Sequence, residues 1–244
     1  FNYLRGGRNE VGQALVEHSR TAGLTFTGSQ AVGMQIARRL LADRRPRPCI
    51  AEMGGKNPCI VTAAADLECA VSGIVRSAFG MCGQKCSALS RLYVHRAVAD
   101  ELLERLAERT KALSIGNPTR RQHWLGPVTT QAGYDRWEQY AEQLRREGSR
   151  IVSGGERLRA GDLAQGLFVQ PIIAEAPAGH PLWRVEMFLP ILMVNRVSSN
   201  EEAMQLANDS DLGLTAGFYG APDEVRWFLE HMQAGTLYAN RPQG

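Results

Sequence analysis

Apolar positions along the chain follow two rhythms that take turns. Short runs rich in β-branched and aromatic residues, each closed by Gly, Pro or Asn, predict strands. They are "GLTFT" from Gly23, "CIAEM" from Cys49, "NPCIVT" from Asn57, "RLYVH" from Arg91, "RIVSGG" from Arg150, "FVQPII" from Phe168, "PILMVNRV" from Pro190, "TAGFYG" from Thr215 and "GTLYAN" from Gly235. Between them run longer segments with apolar residues at helical spacing and charges on the opposite face. These are "QAVGMQIARRLLA", "LECAVSGIVRSAFG", "VADELLERLAERTKAL", the stretch 131–148, "NEEAMQLAN" and "PDEVRWFLEHMQ". Asp66 and Ser199 stand where N-caps belong, and Glu68 places negative charge in a first helical turn. Strand–helix alternation without an internal repeat predicts an α/β fold with mainly parallel pairing.

Composition narrows the function. A formal net charge of +3 over 244 residues is too balanced for a nucleic-acid reader, and no recognition module is present. No run approaches the ~18 apolar residues of a membrane span, and no signal-peptide pattern opens the chain. The five cysteines are odd in number and irregular in spacing, as expected of reduced thiols in a cytoplasmic protein. The chain lacks an initial Met and stops just after an apparent strand, so it reads as a fragment.

Three short motifs are candidates for chemistry. "FTGSQAVG" (Phe26 to Gly33) takes a strand through a Gly-Ser turn into a helix, presenting backbone N–H groups and a hydroxyl to an anion. It is equally a strand–turn–helix corner that uses glycine for backbone reasons. "EMGGKN" places Glu52 at the end of a buried-looking strand before two glycines, a setting for a general base or for a surface glutamate opening a turn. "GMCGQKCSALSRLYVH" carries Cys82 and Cys86. Cys86 leaves a helix through Gly83-Gln84-Lys85, beside a cation, as an activated nucleophile would. Zinc lacks further ligands, because the five histidines are scattered, and a thioredoxin motif needs two intervening residues rather than three. No G-x-S-x-G elbow suggests a serine hydrolase.

Taken in order, "FTGSQAVG", "EMGGKNP", "GQKCSA" and "VEMFLPIL" resemble the aldehyde dehydrogenase superfamily over effectively the whole chain. "GQKCSALSRLYV" and "NRPQG" are most similar to the branch that oxidises L-glutamate γ-semialdehyde in proline catabolism, the 1-pyrroline-5-carboxylate dehydrogenases. The resemblance implies a parallel-sheet catalytic domain over 56–244, incomplete at its C-terminus. Residues 1–55 would then be the later part of a Rossmann-like NAD-binding domain. It implies Cys86 as catalytic thiol and Glu52 as the base that activates water. Ser29 would contact the cofactor pyrophosphate, with Gly28 and Gly33 keeping that corner close-packed. Glu186 and Phe188 match the E-x-F motif at the nicotinamide ribose and ring, and Ser87 lies where the branch approaches the substrate carboxylate. The cofactor implied is NAD, with NADP also open, and no metal. The partners implied are a small aldehyde and, for the full-length protein, further copies of itself; nucleic acid and membrane are not expected. Two alternatives stand beside this reading: another aldehyde, and a structural relative without turnover. The family's E-x-F-G-P reads Glu186-Met187-Phe188-Leu189-Pro190, with leucine for glycine. Residues 1–244 alone are expected to be inactive, because the resemblance places half of the cofactor site outside them.

Overall fold

The computed structural model describes residues 1–6 and 10–244; Gly7–Asn9, within the opening stretch, lie outside the described residues. It divides into two units, Phe1–Gly54 and Gly55–Gly244. The smaller comprises α1 (Val11–Glu17), β1 (Leu24–Thr27), α2 (Gln30–Leu41) and β2 (Cys49–Glu52). β1 and β2 pair in parallel from Leu24↔Cys49 to Thr27↔Glu52. The short α1 is an element that the hydrophobic pattern does not announce. The Arg47 guanidinium ties it down by donating to the carbonyls of Val16 (2.8 Å), His18 (3.2 Å) and Thr21 (3.1 Å). β2 is not the buried strand its sequence suggests. Its residues alternate between half-buried and exposed, and Ile50 is 62% exposed.

The larger unit is built on β3 (Asn57–Val61), α3 (Leu67–Phe79), β4 (Leu89–His95), α4 (Arg96–Lys111), α5 (Gln131–Arg146), β5 (Arg150–Ser153), β6 (Ile172–Glu175), β7 (Ile191–Val197), α6 (Asn200–Asn208), β8 (Thr215–Tyr219), α7 (Pro222–His231) and β9 (Thr236–Ala239). Its seven strands lie in the order β5-β6-β7-β4-β3-β8-β9. Neighbours are parallel except the antiparallel edge pair β5–β6. The caps read from sequence are made: Asp66 accepts from the N–H groups of Glu68 (3.0 Å) and Cys69 (3.2 Å), and Ser199 from that of Glu202 (3.2 Å). One strand starts later than its sequence suggests. Pro171 has no N–H to give a ladder, so β6 begins at Ile172, while Phe168–Gln170 runs beside residues 156–158.

Period-two alternation sorts the strand residues onto the two sheet faces. Ile60, Tyr93, Ile191, Met193 and Phe218 face a core closed by α5, α6 and α7 through Trp137, Ala203 and Phe228. Cys59, Val61, Leu92, Val94, Leu192 and Val194 face a second core closed by Ile74 and Phe79 of α3 and Leu102 and Leu106 of α4. Strands apolar on both sides are what a doubly covered parallel sheet requires. Parallel pairing has a further consequence. The segments that enter β3, β4, β7 and β8 all arrive at one edge, the amino ends of the strands.

Candidate active site

That edge collects Gly55–Asn57 before and at the start of β3, Cys86–Ala88 before β4, Glu186–Pro190 before β7, and Thr215 opening β8. The approach to Cys86 is a 3-10 turn over Gly80–Gly83, not the plain helix end expected from sequence. Met81 (φ 53°), Cys82 (φ 57°) and Gly83 (φ 65°) are all left-handed. For the two non-glycine residues this conformation costs on the order of 1–3 kcal/mol each and persists only where the surroundings over-determine it. Here they do. The Cys82 side chain is buried in the same core as Met187 and Leu189. A Cβ on Gly83 would overlap the Leu189 carbonyl oxygen and lie 2.8 Å from the Pro190 nitrogen, so two backbones touch there. Gln84 supplies the remaining tie. Its amide oxygen accepts from the Thr129 N–H (3.0 Å) and hydroxyl (2.9 Å), and its amide nitrogen donates to the Met81 carbonyl (3.3 Å).

Cys86 is the one exposed thiol of the five. Burial pushes the Cys82 thiol up to about 12 and raises that of Cys59, so both are poor nucleophiles. The main chain around Cys86 is held by the buried Asn57. Its amide nitrogen donates to the carbonyls of Cys86 (2.8 Å) and Ala88 (2.9 Å), and its amide oxygen accepts from the Thr215 N–H (3.1 Å). The Thr215 hydroxyl donates to the carbonyl of the half-buried Ser87 (3.4 Å). Lys85 is half-buried beside the thiol. Burial lowers its pKa, and the Arg76 charge lowers it further, against the pull of Cys86.

Glu186 is half-buried and accepts from the Gly55 N–H (3.2 Å). Burial raises its carboxyl pKa, outweighing that hydrogen bond and the nearby Lys56 charge. The Lys56 ammonium is fully buried and makes no hydrogen bond. Burial, then the Arg91 charge, bring its pKa down to about 7 despite Glu186. Arg91, itself buried, donates to the Lys56 carbonyl (2.7 Å) and to the Leu206 and Ala207 carbonyls near the end of α6. Phe188 is half-exposed and left-handed at φ 55°, projecting between buried Met187 and Leu189. Leu189 has no left-handed backbone, and its side chain fills the core, so leucine at this family glycine position is accommodated without strain.

In the smaller unit, Ser29 is the N-cap of α2 (ψ 149°) but its hydroxyl makes no cap hydrogen bond. The hydroxyl and the first-turn N–H groups therefore remain available to an anion. A Cβ on Gly33 would meet the Met53 sulfur at 2.7 Å, and one on Gly28 the Phe26 ring at 2.5 Å, so glycine lets this corner pack closely. The Gly28 N–H donates to the Glu52 carbonyl at 3.0 Å, while Glu52 itself is exposed.

Within the larger unit, then, Cys86, Ser87, Glu186 and Phe188 share the amino-end edge of the sheet; within the smaller, Gly28, Ser29, Gly33 and Glu52 share the end of the β1–β2 pair. Sequence reading assigns no role to Asn57, Gln84 or Lys56. A polar residue opening the otherwise apolar "NPCIV" is the one signal that points to Asn57. No group of three or more His, Cys, Asp or Glu among the described residues is arranged to hold a metal, and no helix is long and apolar enough to cross a membrane.

Comparison with known proteins adds an independent line. The sequence model of the Aldehyde dehydrogenase family matches residues 1–244. The 1-pyrroline-5-carboxylate dehydrogenase of Bacillus mycoides (strain KBAB4) is 40% identical over 98% of this chain and 47% of its own length. Among solved structures, a 1-pyrroline-5-carboxylate dehydrogenase from Thermus with bound NAD superposes with a TM-score of 0.90 at 36% identity, covering 98% of this chain and 46% of that one. PnpE from Pseudomonas sp. WBC-3, in complex with nicotinamide adenine dinucleotide, matches with a TM-score of 0.90 at 32% identity over 95% of this chain and 47% of its own. The chain spans about half the length of the curated relatives it matches.

Proposed function

Because the chain belongs to the aldehyde dehydrogenase family, we propose that it carries the nucleophile of an NAD-dependent enzyme that oxidises L-glutamate γ-semialdehyde to L-glutamate. The observation that carries this reading is Cys86: the one exposed thiol, on a turn pinned from three sides. Residues 1–55 belong in this reading to the cofactor domain and 56–244 to the catalytic domain.

The residues present suit the cofactor. An uncapped helix start with a free serine hydroxyl suits a pyrophosphate, at a corner that Gly28 and Gly33 keep close-packed, and the Glu186 carboxylate would hold a ribose diol, with the Phe188 ring packing near the nicotinamide. NAD, when bound, supplies the hydride acceptor. The chain's own residues do the rest. The Cys86 thiolate adds to the aldehyde carbon, making it tetrahedral and placing a negative charge on its oxygen. Loss of hydride leaves a thioester on Cys86 Sγ. Glu52 takes a proton from water, the hydroxide attacks the thioester carbon, and the acid leaves as the thiolate re-forms. Ser87 offers its hydroxyl to the carboxylate at the far end of the substrate.

The test uses the full-length protein. NADH formation should be faster with glutamate γ-semialdehyde than with simple aliphatic aldehydes, and Cys86→Ala should lower kcat by at least about 10⁴-fold while NAD still binds. Preference for an aliphatic aldehyde would move the substrate assignment within the family; undiminished turnover of Cys86→Ala would remove the nucleophile.

A further inference from the structure

Two cations are buried next to each other at the amino-end edge of the sheet. Lys56 and Arg91 are each 1% exposed, and the Arg91 charge works against that of Lys56. Their hydrogen bonding differs. The Arg91 guanidinium directs its N–H groups to neutral oxygens, the carbonyls of Lys56 (2.7 Å), Leu206 (3.2 Å) and Ala207 (2.9 Å) and the Tyr93 hydroxyl (3.3 Å). The Lys56 ammonium makes no hydrogen bond among the described residues. A buried ammonium without a partner is costly, and such departures from good packing chemistry belong to functional sites.

One carboxylate is placed to use that charge. Glu186 is turned onto the main chain just before Lys56, its Oε1 accepting from the Gly55 N–H at 3.2 Å. The charges that act on Lys56 are Arg91 of β4 and Glu186 of the segment before β7; the one that acts on Glu186 is Lys56. Burial of Glu186 favours its neutral form, so an ionised Glu186 needs a cation nearby. A ribose diol offers two O–H donors, which two carboxylate oxygens accept and a carboxyl O–H opposes. We propose that Lys56 is a positioning residue for the cofactor: its buried ammonium keeps the Glu186 carboxylate ionised beside the start of β3, where it accepts from the diol of the nicotinamide ribose. This rests on the reading of Glu186 as the ribose contact. Lys56 touches no reacting atom and passes no proton to the substrate. The support has a pH signature, because it is present only while the amine is protonated, and the Lys56 pKa is about 7. Bound NAD would cover Glu186 and strengthen its attraction to the ammonium. By linkage, Lys56 would then hold its proton more tightly, and NAD affinity would fall as the amine deprotonates.

The experiment is NAD titration of the full-length protein from about pH 6 to about pH 9. It is read as the Kd of a variant divided by that of the parent, so that groups common to both cancel. For Lys56→Met the ratio should be about ten at the acid end, as loss of a charge-assisted interaction predicts. It should fall to about one at the alkaline end, where the parent's amine is neutral too. Lys56→Gln, which can hydrogen-bond but carries no charge, should show the same fall and decides the matter if Lys56→Met does not fold. In a Glu186→Gln background, Lys56→Met should weaken NAD binding by less than about twofold, because the two act as a pair. A ratio that is raised equally at every pH would make Lys56 structural only. A ratio of one throughout, or an undiminished loss in the Glu186→Gln background, would also overturn the proposal. Glu186→Gln alone separates the two levels. If it binds NAD like the parent, the ribose reading of Glu186 fails; if it binds weakly while Lys56→Met matches the parent, only the positioning role does.

Discussion

The corner at Ser29 and the turn at Cys86 both begin from a glycine-containing tetrapeptide, and they are built in opposite ways. At Ser29 a strand runs into a helix, and the local ties are main-chain bonds, Gly28 to Glu52 and Gly33 to Ser29. The serine hydroxyl is left unspent. At Cys86 a helix runs into a strand. There the main chain is gripped by the amides of Asn57 and Gln84 and pressed against the backbone of Leu189–Pro190. In the proposed reading, the difference follows from what each would hold. A diffuse anion is satisfied by any helix start whose N–H groups are free. A thiol that is to attack a carbon must be held to about 0.5 Å. The Cys86 turn accepts left-handed non-glycine residues at Met81 and Cys82, and the Ser29 corner accepts none.

The largest effect at the amino-end edge of the sheet, which also carries Cys86, is expected at Lys56. Its folded-state pKa, about 7, lies below its ordinary 10.5. Between these values the unfolded chain binds more protons than the folded one, so stability should rise with pH by on the order of 1 kcal/mol per unit. Below pH 7 the ammonium is charged in both states and its burial cost is fully present. Lys56→Met should be more stable than the parent at pH 7 and should flatten the rise. Chemical denaturation at pH 7, 8.5 and 10 measures both, and a flat parent profile would mean that Nζ has found a partner. Glu186 titrates in the opposite sense. Its raised folded pKa makes its contribution to stability fall as pH increases above 4.5.

Two glycine substitutions sharpen the contrast. Gly83→Ala places a Cβ against the Leu189 backbone at φ 65°, where neither side can yield, and should cost about 2–3 kcal/mol. Gly33→Ala meets the Met53 side chain, which can turn away, and should cost about 1 kcal/mol. Equal unfolding midpoints for the two would erase the distinction between a fixed turn and an adaptable corner.

The smallest effect belongs to Ser29. Because its hydroxyl caps nothing, Ser29→Ala should change stability by less than about 0.5 kcal/mol, against about 1 kcal/mol for Thr130→Ala, whose hydroxyl accepts from the Gly133 N–H at 3.1 Å. In the full-length protein NAD affinity should still weaken about threefold to tenfold, as loss of one hydrogen bond predicts. A stability loss equal to that of Thr130→Ala would show the hydroxyl to be a cap and not a free donor.

Periodicity, turn residues and two N-caps are written locally, so the α/β class, the parallel sheet and nearly every element could be read along the chain; β6 alone starts late, because Pro171 breaks the ladder. The motifs around Cys86, Glu52, Ser29 and Glu186 were legible because each is a few adjacent residues. The support of those motifs was not. Asn57 lies 29 residues from Cys86 and 158 from Thr215, and nothing in "GGKNP" says that its amide will meet both. Likewise Met81 and Cys82 give no local sign of a left-handed backbone. By itself, then, the sequence determined which elements form and which side chains can carry chemistry, because propensity, patterning and functional groups are properties of neighbours. The tertiary structure decided which carbonyls turn inward, which thiol stays exposed and which lysine is buried without a partner. Those depend on strands distant in sequence whose amino ends meet at one edge of a parallel sheet.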